Sequence, residues 1–228
     1  MSRRYFTPAL FGFLKELKDH NDRTWFKANQ ERFEAAVREP ALDFITDYAD
    51  RLSQLSPHFV ADSRTVGGSL FRIQRDTRFS KDKTPYKLNT GMHFRHEAAA
   101  DAHAPGFYLH LEPGNCFMGV GLWRPETAMA YAIRARIDEE QAVWKRAAHS
   151  PRFADVFTLD GDSLKRPPKG YEAEHPLIED LKRKDFIAMA QLTQKEVTSA
   201  DFMDRFHENA VRAAPLMRFL CAAVEVPY

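Results

Sequence analysis

The chain reads as an α+β protein, built mainly from antiparallel hairpins packed with N-terminal and C-terminal helices. Three observations predict this class. Apolar residues recur at helical spacing through the first 57 positions, the period changes to two between 67 and 124, and helical and strand patterns mix from 125 onward. At 228 residues, with 44% apolar and 12% aromatic side chains, the chain is expected to form one compact domain over 1–228.

Thr7-Pro8 signals a first helix, with Leu10, Phe13, Leu14 and Leu17 on its apolar stripe. Asp22 caps a second carrying Trp25, Phe26, Phe33 and Val37, where core packing explains the aromatics. Pro40 opens a third through Leu42, Ile45, Tyr48, Leu52 and Leu55, which Ser56-Pro57 stops. From Gly67 to Phe94 the alternation predicts a long hairpin around the turn-rich "SKDKTP". Phe71, Ile73 and Phe79 would share its core face. "HEAAADAHAPG", 96–106, reads as a flexible excursion. A second hairpin follows, with Phe107, Leu109 and Leu111 inward, "PGN" at the turn and "CFMGVGLW" returning. Helix resumes after Arg124-Pro125-Glu126, and "RPPKGYEAEHP" is an extended connection. "FIAMAQL" is a short buried strand, and Ser199 caps a last helix that Pro215 should kink or break.

Composition excludes several classes. With 33 Lys+Arg against 32 Asp+Glu the net charge is +1, so any anion site must be a local patch. Cys116 and Cys221 lie far apart and predict neither a disulfide framework nor zinc. The N-terminal apolar stretch ends at Lys15-Glu16, too soon for a signal peptide, and nothing approaches the roughly 18 apolar residues of a membrane span. A soluble, cytoplasmic protein without a membrane partner is the expectation. No Walker, dinucleotide-binding or nucleophile-elbow motif is present, so an enzymatic role is left open and no cofactor is implied.

The densest signal is the segment from Arg72 to Lys87, with six bases and two acids. Arg72 and Arg78 share a polar face with Lys87 across the hairpin, while Lys81 and Lys83 sit at its loop. Arginine forks and mobile lysines suit phosphate or carboxylate. These five residues, with Tyr108 and His110 on the next hairpin, are the candidate ligand-binding set. The ligand would be a phosphate-bearing small molecule or a nucleic-acid backbone. Arg75 has the parity of the core face and is expected in a structural ion pair, with Glu112 or a helix acid such as Glu16. Asp76, His110 and Glu112 are the acid–base candidates. The competing reading is a non-catalytic interaction or structural domain whose hairpin bases form internal ion pairs.

Two weaker constellations stand beside it. His93, His96, His103 and His110, with Glu97 and Asp101, cluster in sequence, but no metal-ligand spacing appears and no metal site is expected. Gly119 and Gly121 share parity with Phe117 and Trp123, leaving a shallow strip between aromatics. Such a strip admits a ligand, a helix or another strand.

"NDRTWFKANQERFE", "LFRIQRDTRFSKDKTPYKLNTG", "GFYLHLEPGNCFMGVGLWRPE" and "LKRPPKGYEAEHPLIEDLKRKDFIAM" together resemble the domain of unknown function 2461 family of bacterial and fungal proteins. The resemblance runs from about Phe6 to Phe219 and implies one compact domain. It assigns no catalytic residue.

Overall fold

The computed structural model describes residues 3–98 and 105–228. The Thr7 hydroxyl accepts from Ala9 N to start α1 (Pro8–Asp19), and Asp22 accepts from Thr24 N and Trp25 N to start α2 (Arg23–Ala28). Helix α3 (Gln30–Phe33) passes through a π turn, Glu34–Arg38, directly into α4 (Glu39–Leu55). Pro40 therefore sits inside a continuous helical stretch instead of opening a new one. Its ring would clash with the carbonyl four residues back, and the wider π turn absorbs that clash.

Five strands among the described residues form one antiparallel sheet: β1 (Thr90–Arg95), β2 (Gly106–Leu111), β3 (Cys116–Leu122), β4 (Thr158–Asp160) and β5 (Phe186–Leu192). Their spatial order is β1-β2-β3-β5-β4. Between β3 and β4 run α5 (Thr127–Glu139), α6 (Gln141–Ala148) and α7 (Pro151–Ala154). Short α8 (Ile178–Leu181) precedes β5, and α9 (Gln194–Val197) with α10 (Phe202–Ala223) follow it. No helix among the described residues is long and apolar enough to cross a membrane.

One face of the sheet supplies the core. Met92, Phe94, Phe107, Leu109, Leu111, Met118, Val120, Phe186 and Ala188 are buried there against the helices, with α10 crossing β3. Helix α10 runs continuously through Pro215, so the expected break does not occur. Pro215 lies on the exposed side, where water can serve the freed carbonyl, while Ala213, Ala214, Leu216 and Met217 stay packed. Ser199 does not cap this helix: its hydroxyl donates back to Glu196 O, and α10 begins after Asp201.

The first expected hairpin is a strap, not a ladder. Residues 67–89 meet their neighbours at two isolated bridges, Leu70 with Met92 and Gln74 with Tyr86. Asp76 and Asp82 accept from the backbone N–H groups of Arg78 and Thr84, and these local turns compete with strand pairing. Pro85 also lacks a donor. On the first arm only Ile73 of the expected core face is buried, with Phe71 37% exposed and Phe79 95%, whereas Tyr86, Met92 and Phe94 of the returning arm are buried as expected. The parity argument needs a continuous strand, and one forms only on the returning arm, at β1.

Candidate ligand-binding site

The sheet face opposite the helices carries the side chains of alternate parity. Registry sets His93 beside Tyr108, Tyr108 beside Gly119, and Gly119 beside Met189. One step along, Gly106 pairs with Gly121 and Gly121 with Ile187. Glycines thus floor a cleft of about 390 Å³, within the range of small-molecule sites. Phe71, Tyr108, Phe117 and Trp123 stand around it. Gly119 and Gly121, read from sequence as a strip between Phe117 and Trp123, are its centre.

Local structure holds these walls. Phe71 N donates to Gly91 O at 2.9 Å, tying the strap to β1, and the Phe71 ring lies 5.9 Å from Tyr108. At the other end the buried Asp185 carboxylate accepts from Arg124 N and Asp162 N, both at 2.8 Å. That fixes the chain just past Trp123, whose ring lies 4.6 Å from the Arg124 guanidinium carbon.

The polar wall is a hydrogen-bond chain. The Tyr108 hydroxyl lies 3.1 Å from His110 Nδ1, and His110 Nε2 lies 3.1 Å from Glu112 Oε2. A carboxylate only accepts, so Nε2 carries the proton and Nδ1 accepts from the tyrosine. The imidazole also stacks on Phe117, with centroids 4.6 Å apart. Burial, reinforced by the Glu112 charge, pushes the Tyr108 hydroxyl up to about 12, so it stays a donor at neutral pH. His93 borders the cleft, is only 8% exposed and makes no side-chain hydrogen bond among the described residues. Burial, then repulsion from Arg95, pulls its imidazole down to about 4.

The basic candidates divide by position. Lys87 is half-buried, with Nζ 5.4 Å from the centre of the Phe71 ring. Burial and then Arg72 lower its pKa. Arg72 is exposed beside it. Asn89 links this end to the polar wall, its amide 3.4 Å from His110 Nδ1. Arg78, Lys81 and Lys83 lie farther out on the strap. Arg78 holds Asp76 at 2.7 Å and draws that carboxyl down to about 2. Lys83 Nζ donates to Thr77 O at 2.9 Å, and Lys81 is exposed.

Arg75 pairs with Asp82 and donates to Thr84, not to Glu112 or Glu16. The strap turns so tightly that the acid seven residues on is nearer than either, and Glu112 is engaged by His110. The histidine cluster does not assemble: His96 is buried with Nε2 2.8 Å from Pro227 O, and Glu97 meets His58. Asp101 and His103 lie outside the described residues. Among the described residues no three His, Cys, Asp or Glu side chains are grouped to hold a metal.

Sequence reasoning missed Phe71, His93, Ile187 and Met189 as cleft residues. Their parity was legible, but the strands that bring them beside Gly119 are far apart in the chain.

Fold and cleft define an α+β protein with one sheet face backed by helices and the other open and walled by aromatics. The chain belongs to the conserved hypothetical protein family DUF2461, whose family model matches residues 9–219. No curated protein matches it.

Proposed function

We propose that the cleft binds a small ligand with a flat apolar body and an anionic group, phosphate being the best fit. The carrying observation is Lys87: a half-buried ammonium over Phe71, a ring that walls the cleft, with no carboxylate partner among the described residues. Arg72, close enough to Lys87 to lower its pKa, adds a second cation beside it. An anion seated there would relieve the Lys87–Arg72 repulsion, while the ring of the ligand lies over the glycine floor. Tyr108, His110 and Asn89 would read its polar edge. The reading treats 1–228 as one domain, which a single core cluster from Phe6 to Ala223 supports.

Arg75 and Arg78 favour the second reading for themselves alone, since Asp82 and Asp76 already neutralise them. The test is a thermal-shift and calorimetric titration with phosphate, pyrophosphate and purine and pyrimidine nucleotides. A ligand at a hundredfold its dissociation constant stabilises by about 2.7 kcal/mol, or several degrees in a domain of this size. The shift should exceed that of inorganic phosphate for ring-bearing ligands and vanish in Lys87→Ala. Binding that ignores this substitution overturns the reading.

A further inference from the structure

The outer end of the strap is a different surface. Phe79 is 95% exposed, the most exposed of the large apolar side chains described. An aromatic side chain buries 150–250 Å² when covered, so an open ring at a loop tip forgoes most of that gain. Its company is cationic. Arg78 lies with its guanidinium carbon 5.8 Å from the Phe79 ring centre, and Lys81 and Lys83 follow within four residues. The two acids of the segment, Asp76 and Asp82, are occupied by Arg78 and Arg75. Lys81 and Lys83 therefore have no carboxylate partner among the described residues, and the charge of the tip is uncompensated.

We propose that this tip binds single-stranded nucleic acid, with an unpaired base stacked on Phe79 and flanking phosphates on Lys81 and Lys83. One open ring followed closely by two lysines matches the repeat of a nucleotide chain, a stackable base with anionic phosphates next to it. A folded protein partner or a membrane surface would call for a contiguous apolar area, and here a single ring stands among charges. An acidic peptide would use the lysines and leave the ring idle. Stacking also requires a base free of its own stack, which selects single strands over duplex. The site is separate from the cleft, so it stands or falls independently of the small ligand proposed there.

The test is fluorescence anisotropy with a labelled twelve-residue oligothymidylate, at 50 and 200 mM salt, with a twelve-base-pair duplex, poly-glutamate and anionic phosphatidylserine vesicles as competitors. Phe79→Ala should weaken oligonucleotide binding by about tenfold and leave its salt dependence unchanged. Lys81→Ala with Lys83→Ala should reduce the slope of log K against log salt by about 1.4, at 0.7 per single-strand phosphate contact. All three side chains are exposed, so the melting temperatures of the variants serve as the folding control. No binding at 50 mM salt, equal affinity for duplex, indifference to Phe79→Ala, or displacement by poly-glutamate or vesicles in preference to unlabelled oligonucleotide would each overturn the proposal.

Discussion

The Tyr108 hydroxyl and His110 Nδ1 lie 3.1 Å apart across the polar wall of the cleft, and the hydroxyl donates to the nitrogen left bare because Nε2–H faces Glu112. Tyr108→Phe would leave Nδ1 with only the Asn89 amide at 3.4 Å. The expected cost is about 1 kcal/mol of stability, the usual net worth of one such bond. Glu112 still accepts from Nε2–H, so the ¹⁵N spectra of His110 should keep the Nε2–H pattern and shift only at Nδ1, which loses its donor. A mixture of tautomers in the variant would show that the tyrosine, not Glu112, sets the proton.

Acid should loosen the protein in two separate windows. His93 has a folded pKa near 4 against about 6.5 when unfolded, so the unfolded chain binds the extra proton first. Stability from this group is complete above pH 6.5 and falls as pH drops toward 4. The loss should reach about 2–3 kcal/mol at pH 4.5. Asp76 and Asp82, each drawn down to about 2 by its arginine, contribute only below their unfolded values near 4. Denaturant melts of His93→Phe should be flatter between pH 6.5 and 4.5 and unchanged in the lower window. A slope identical to that of the unsubstituted protein would remove His93 from the account.

Two neighbouring glycines should behave in opposite ways. Gly121 has φ +119°, and a Cβ there would lie 2.2 Å from the Phe186 carbonyl oxygen, so Gly121→Ala must part β3 from β5. Its expected cost is about 2–6 kcal/mol, combining backbone strain with overpacking. A Cβ on Gly119 meets only the Tyr108 and Phe117 side chains, at ordinary distances of 3.7 and 3.9 Å. Gly119→Ala should keep the melting temperature within a few degrees while weakening ligand binding, because it raises the cleft floor. Equal stability of the two variants would contradict the backbone geometry.

Lys87 and Arg78 should separate in the same titration. The Arg78–Asp76 pair has side chains 76% and 43% exposed, and such pairs contribute about 0–1 kcal/mol. Arg78→Ala is therefore expected to change small-anion affinity by less than about twofold. Lys87→Ala should cost about tenfold or more, the worth of one charge-assisted hydrogen bond. Comparable losses in both would move the anion outward along the strap.

Legibility followed the range of the determining forces. The caps at Thr7 and Asp22 act within three residues, and α1 and α2 begin where those residues predict. The hairpin of β2 and β3 was legible because Phe107, Leu109 and Leu111 alternate on a sheet buried on one face. The strap misled because its alternation is real while its backbone is claimed by Asp76 and Asp82. Pro215 does not break α10, because the apolar face packed on either side of it holds the helix together.

By itself the sequence determined the α+β class, the parity that puts Gly119 and Gly121 between aromatics, and the concentration of bases from Arg72 to Lys87. Those properties are local, carried by side-chain period and charge along one stretch of chain. Only the tertiary structure decided which sheet face the helices cover, and hence that the glycine floor is open. It also decided that Lys87 stands over the Phe71 ring while Phe79 stands open to solvent. Both outcomes depend on β5 pairing with β3 and on the strap docking against β1, contacts between segments far apart in sequence. Burial of the helices' apolar stripes drives that assembly, and no single stretch of the chain encodes its geometry.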